Sequence, residues 1–374
     1  MWFFILGGLM LGTLLAVLYL AGRFAKFSFI RKAVKEKKIL RFLAGLILVL
    51  VIVFVAGKAM GAINAEICML HLMIIWMLCD GIGRLVEKKR KKKFERYYAG
   101  ALAIGITVGY LACGWYLAHH VWRTDYTLQT QKQVENLRIV QFADSHVGTT
   151  FDGEGFAELV QAMQAENPDI VVVTGDYVDD DTTKEDMIAA CAALGTLQTT
   201  YGVYYAFGNH DKGYYGPEYR GYNGADLIGE LEKNNVIVLQ DEVVPLGEDY
   251  YLIGRQDRSE EQMGRRRASM EELTEGLDPA RYSIVLDHQP HDFDAQTAAG
   301  VDLVLCGHTH GGQLFPFHRM GQWTGTDDKS YGLETRGSTS FIVTSGISDW
   351  AIRFKTGCKS EYVVIDVQKM AAGE

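Results

Sequence analysis

Four apolar stretches, about Trp2–Ala21, Ile39–Ala56, Ile63–Ile82 and Tyr98–Ala118, constrain the fold of this 374-residue chain more than any other feature. Each is close to the roughly 20 residues that carry an α-helix across a hydrocarbon core, with Arg41 at the interfacial end of the second. No basic residue precedes the first, which favours a span over a cleaved leader. Four transmembrane helices are therefore expected, followed by a soluble part.

The charges divide at the same place. Residues 1–123 hold 18 of the 37 Lys and Arg but only 5 of the 46 Asp and Glu, a formal +13, which leaves −22 on the remainder. Seven basic residues lie between Arg23 and Lys38 and eight between Arg84 and Arg96, so the positive-inside rule puts both loops in the cytoplasm. The second-to-third connection carries only Lys58. Alternation then puts both termini outside, giving a multi-pass protein of the cell membrane with an extracytoplasmic soluble part. The Lys88–Lys93 run reads as a topology and anionic-lipid signal. Glu66, His71 and Asp80 fall inside the spans, where a charge facing lipid is costly, so they are expected to join helices or, for Asp80, to sit at an end. The acidic remainder repels polyphosphate backbones, which sets nucleic acid aside as a partner. Six cysteines without CxxC spacing read as buried thiols and leave the compartment open.

After Tyr126 the pattern changes to short β-rich runs alternating with helical ones. Leu137–Phe142, Ile170–Thr174, Val203–Phe207, Tyr250–Ile253, Ser283–Leu286 and Leu303–Leu305 read as buried strands. Phe156–Gln164, Lys184–Leu197 and Ala225–Glu232 read as helices between them. The alternation argues for a layered α/β domain, and strands near Thr339–Thr344 and Tyr362–Val367 make a second sheet an expectation.

Polar residues cluster where those strands end. The first runs into Asp144-Ser145-His146, the second into Gly175-Asp176-Tyr177-Val178-Asp179 and the third into Gly208-Asn209-His210-Asp211. Ser283–Leu286 leads to His288, and Leu303–Leu305 to Gly307-His308-Thr309-His310-Gly311-Gly312-Gln313. Ligand crevices in open α/β sheets lie beyond the carboxyl ends of strands, so the five clusters can converge. An Asp and a His two apart can reach one cation, and Asp176 can bridge two through its two oxygens, at the roughly 3.5–4 Å spacing that two-metal hydrolysis uses. Asn209 adds a neutral oxygen and the histidines add nitrogens. Such a set, without thiolate, suits Mn, Fe or Zn.

The series DxH, GDxxD, GNHD, a lone His and GHTHGGQ, in this order, resembles the calcineurin-like metallophosphoesterases over about Leu137 to Val367. The final motif, with Ser345-Gly346, Trp350 and Arg353 beyond it, is most similar to the bacterial membrane-associated subgroup. The resemblance implies a two-sheet αββα sandwich over residues 136–370, after a transmembrane region of residues 1–123 and a linker of residues 124–135. It implies two divalent ions, one held by Asp144, His146, Asp176 and His310, the other by Asp176, Asn209, His288 and His308. His210 would contact the phosphoryl group or protonate the leaving group, and Asp211 would orient it. The function implied is hydrolysis of a phosphate mono- or diester by a two-metal-activated water, with lipid or envelope-linked esters as the class the anchor favours. The alternative is a membrane sensor or assembly module on a non-catalytic phosphoesterase fold.

Other residues carry plainer readings. Asp179 either orients a ligand or serves a turn. His291 and His318 are expected to be ordinary loop histidines. Tyr214, Tyr215, Tyr219 and Tyr222 form either a substrate lip or loop packing, and Arg265–Arg267 is expected to be a solvated helix face ahead of a headgroup contact.

Overall fold

The computed structural model describes residues 2–34 and 37–370, with side chains from residue 11 onward; Lys35 of the first basic loop lies outside the described residues. The chain forms two compact units, a helical one to which Ala351–Arg353 also belong and a larger α/β one beginning at Tyr116.

The helical unit contains Trp2–Phe24, Lys38–Met60, Ala62–Arg90 and Tyr98–His119, with a short Ser28–Ala33 helix after the first. The last three are long and apolar enough to cross a membrane, and the described side chains of the first make a shorter apolar helix, Leu11–Phe24. Ile47, Phe54, Leu78 and Val108 are exposed, an apolar surface that suits hydrocarbon and not water. A side chain at Gly45 would collide with the Ala21 carbonyl, so the first and second long helices approach closely on a small residue. The three polar residues expected inside the spans are engaged. Asp80 pairs with Arg23 at 2.8 Å and accepts from the Tyr97 hydroxyl at 2.8 Å, which in turn accepts from Trp76 Nε1. Glu66 accepts from Thr13, and His71 Nδ1 meets the Ile67 carbonyl at 2.8 Å. Asp80 and Glu66 join helices, as expected, whereas the His71 contact stays within its own helix.

The α/β unit has twelve strands among the described residues: β1 Val121–Thr130, β2 Leu137–Phe142, β3 Ile170–Thr174, β4 Val203–Ala206, β5 Val236–Leu239, β6 Glu242–Leu246, β7 Tyr250–Gly254, β8 Tyr282–Leu286, β9 Leu303–Cys306, β10 Gly332–Arg336, β11 Thr339–Val343 and β12 Ser360–Lys369. They form two six-stranded mixed sheets, ordered β1-β12-β2-β3-β4-β5 and β10-β11-β9-β8-β7-β6. Alternate residues of a strand point to opposite faces, so each sheet feeds two cores. Ile139, Val172, Leu252, Ile284 and Leu305 meet between the sheets. Val140, Val171 and Val173 face the other way, onto Phe156, Val160, Met163 and Leu227 of helices Gly153–Gln164 and Gly224–Lys233. On the far side, Val285, Val304 and Phe341 pack on Met270, Leu273 and Phe293 of two short helices. The result is the expected αββα sandwich.

Two expectations need correction here. Residues 124–130 of the expected linker are strand: β1 runs parallel to β12 in register from Val121 opposite Ser360 to Thr130 opposite Lys369. β5, β6 and β10 were also not anticipated from the sequence. With β1 they are the four edges of the two sheets.

Candidate metal centre

All five motifs leave strand ends and meet. Asp144, His146 and His310 form one group able to hold a metal ion, and Asp176, His288 and His308 a second, the ligand atoms of each lying within 4.8 Å of one another. Asp176 stands between the groups, its Oδ2 3.1 Å from His288 Nε2 and 3.8 Å from His146 Nε2. The loops are laced together by backbone hydrogen bonds. Asp144 N donates to the Gly175 carbonyl at 3.0 Å, His146 N to the Asp176 carbonyl at 3.1 Å and Gly307 N to the His288 carbonyl at 2.9 Å. His308 N donates to both oxygens of Asp144 at 3.0 Å. The approach needs glycine at Gly208, where a Cβ would collide with the Asp176 carboxylate.

The donor set fits cations. Asn209 Oδ1, His146 Nε2 and His308 Nδ1 are buried without a hydrogen-bond partner, although buried polar atoms ordinarily have one. Two further histidines are oriented through Nδ1 in the way metal-ligating imidazoles usually are. His288 Nδ1 meets the Thr174 carbonyl at 2.7 Å and His310 Nδ1 the Ser348 carbonyl at 3.3 Å, contacts that leave each Nε2 lone pair facing inward. His146 Nδ1 lies 3.3 Å from Asp179 Oδ2. The other Asp179 oxygen accepts from the Asp181 and Thr182 amides, the turn role expected of it.

Electrostatics divide the imidazoles: against burial, the Asp176 carboxylate holds His288 well above the usual range and Asp179 raises His146. Burial, with His146 nearby, holds His310 well below the usual imidazole range, and burial beside His288 lowers His308 to about 4, so both stay neutral and free to donate a lone pair. Burial lowers His210 as well. Burial pushes Asp144 up to about 6, whereas at Asp176 the attraction of His288 overcomes burial and holds the carboxyl well below its usual range.

The Asp211 carboxylate is committed to backbone amides. It accepts from those of Asp176 at 3.0 Å, Tyr177 at 2.7 Å, Val178 at 3.1 Å and Gly208 at 2.6 Å. Asp211 therefore shapes the Asp176 loop, and His210 is held by aromatic rings: Tyr214 edge-on at 5.0 Å, Trp350 at 4.7 Å and His146 at 5.2 Å. The tyrosines divide. Tyr222 is buried, Tyr215 and Tyr219 are exposed and 5.1 Å apart, and Tyr214 reaches the site.

The solvated-face reading of Arg265–Arg267 also needs correction. Arg265 and Arg266 pair with Glu260 and Glu272, but Arg267 is buried and donates to Asp287 Oδ1 at 2.6 Å, while Arg255 holds Asp287 Oδ2 at 3.1 Å. Asp287 precedes His288, so these arginines brace a ligand-bearing strand end. Sequence reading missed Arg255, Arg220 and Lys355. Arg220 ties the Asp179 and Asp211 carbonyls, and Lys355 donates to the Ser345 carbonyl at 2.7 Å. Nothing local marks a lone basic residue in a loop as buried.

The chain belongs to the calcineurin-like phosphoesterase family, whose model matches residues 137–312 and whose dimetal members use two divalent cations. Its relatives include an uncharacterized metallophosphoesterase of Aquifex aeolicus, 31% identical over 51% of this chain and 70% of that one. Another, of Campylobacter jejuni, is 29% identical over 63% of this chain and 60% of that one. A zebrafish (Danio rerio) transmembrane protein with a metallophosphoesterase domain is 28% identical over 68% of this chain and 60% of that one. The match spans about three-fifths of the length of the last two.

Proposed function

We propose that this chain is a membrane-anchored hydrolase of phosphate mono- or diesters, and that its substrates are lipid-linked. The observation that carries the reading is the pair of buried ligand groups with Asp176 between them and His210 beside them. Asp144, His146, Asp176 and His310 would hold one cation, and Asp176, Asn209, His288 and His308 the other. When bound there, divalent cations would supply Lewis acidity, lowering the pKa of an attacking water and offsetting phosphoryl charge. The protein supplies the rest. Asp179 fixes the His146 ring, Asp211 fixes the Asp176 loop, and His210, lowered by burial but protonated with the help of the incoming phosphoryl charge, gives the leaving oxygen a proton. Lipid linkage is supported by the apolar helices and by exposed aromatic residues on loops that follow ligand motifs, among them Tyr215, Tyr219, Phe315, Phe317 and Trp323. The acidic charge of the remainder speaks against nucleic acid.

The test is turnover of chromogenic mono- and diesters by chelator-treated protein with Mn²⁺, Fe²⁺ or Zn²⁺ added back. Activity is expected to vanish on chelation and to return with Mn²⁺ or a similar cation. Undiminished turnover without metal would overturn the mechanism. Two bound metals with no ester hydrolysed would instead favour the non-catalytic sensor.

A further inference from the structure

We propose that Tyr214 is a positioning residue for both halves of the reaction: its hydroxyl aims the Asn209 amide at the second metal position and its ring fixes the His210 imidazole. The inference rests on the hydrolytic reading above and adds to it a residue outside the five motifs.

An asparagine ligates through its oxygen, and the amide must be held so that this oxygen and not the NH₂ faces the cation. Asn209 Oδ1 is buried and without a hydrogen-bond partner. The other end of the amide is held, because Asn209 Nδ2 donates to the Tyr214 hydroxyl at 2.8 Å. The same ring stands edge-on to His210, with centroids 5.0 Å apart and an angle of 87°. That geometry puts the positive ring edge of one partner toward the π-face of the other. Tyr214 is itself anchored through its backbone, whose amide lies 3.1 Å from both Asp180 carboxylate oxygens. Asp180 thus ties the loop after GNHD to the loop after GDxxD. The Tyr214 side chain is 53% exposed, so packing of the core does not account for its place. One residue therefore couples a ligand of the second cation to the proton donor next to it in sequence.

Two substitutions separate the two contacts in the full-length protein in detergent. Tyr214→Phe keeps the ring and removes the hydroxyl. Tyr214→Leu removes both. Mn²⁺ binding is read by titration calorimetry, and hydrolysis is read on two aryl phosphates, one with a nitrophenol and one with an unsubstituted phenol leaving group. In Tyr214→Phe one of the two Mn²⁺ sites is expected to lose about tenfold in affinity, with the other unchanged and the ratio of rates on the two esters as in wild type. Tyr214→Leu is expected to show the same metal loss and, in addition, a several-fold lower kcat on the phenol ester relative to the nitrophenol ester, because a poor leaving group needs the proton that His210 supplies.

Wild-type Mn²⁺ affinity at both sites in Tyr214→Phe would overturn the amide-holding role. An unchanged leaving-group ratio in Tyr214→Leu would overturn the imidazole-holding role. Equal loss at both metal sites would mean that the loop was generally disturbed, and would overturn the specific assignment. A wild-type protein that binds two Mn²⁺ and hydrolyses neither ester would count against the hydrolytic reading, while the calorimetric comparison would still decide the Asn209 contact.

Discussion

Asp144, His146, Asp176, His308 and His310 all take positive φ, from 36° at His146 to 72° at His308. Non-glycine residues rarely occupy this region, and each instance costs on the order of 1–3 kcal/mol unless its surroundings dictate it. Here the dictating groups are visible, above all the Asp211 carboxylate with its four backbone amides. Asp211→Ala would leave those amides short of an acceptor in a buried place, so a loss of about 2–4 kcal/mol in stability is expected, together with weaker metal retention. His210→Ala should keep both metals, and Asp176→Asn should lose more metal than any other single ligand change because Asp176 serves both sites. Elemental analysis of the three proteins checks this; equal metal content in Asp176→Asn and His210→Ala would refute the division of roles. Arg267→Ala would strip one partner from the buried Asp287 and is expected to cost about 3 kcal/mol in chemical unfolding, where a solvated arginine would cost little.

At the scale of elements, legibility followed burial. β2, β3, β4, β8 and β9 are interior strands of the sheets, so they read as largely apolar runs and were found with small differences at their ends. The four strands that were missed are the four edges, which face solvent along one side and tolerate mixed sequences. β1, with Arg123, Thr124, Asp125 and Gln129 among its residues, reads as a linker until β12 is laid beside it. A soluble fragment should therefore begin before Val121. A cut at Tyr126 divides β1 and should lower the melting temperature relative to a cut at His120, with both fragments measured by thermal unfolding and by turnover of soluble esters. Identical melting of the two fragments would show that β1 adds nothing to the sheet.

For the whole molecule, the division into an apolar helical unit and an acidic α/β unit matches the break in charge near Arg123. The basic loops argue for an extracytoplasmic C-terminus. A reporter fused after Glu374 should then lie outside the cytoplasm, and one inserted in the Glu87–Glu95 loop inside. A cytoplasmic C-terminus would mean that one apolar stretch does not cross. Removing the helices should depress turnover of a phosphate ester presented in vesicles while sparing soluble esters, because the anchor raises local concentration at the bilayer. Equal loss on both substrates would assign the helices a part in shaping the site.

The sequence alone determined which residue types could bind metal and that they stood at strand ends, because buried parallel strands and metal-ligand chemistry each leave short, local signatures. It determined the membrane helices for the same reason, as a continuous apolar length. The tertiary structure decided what depends on chain segments far apart in sequence. It paired β1 with a strand more than 200 residues away, set the Asp211 carboxylate on the Asp176 loop, buried Arg267 against Asp287, and set Tyr214 on Asn209. A carboxylate or a guanidinium can satisfy its hydrogen-bonding demand in many ways, and only the packed fold selects one of them.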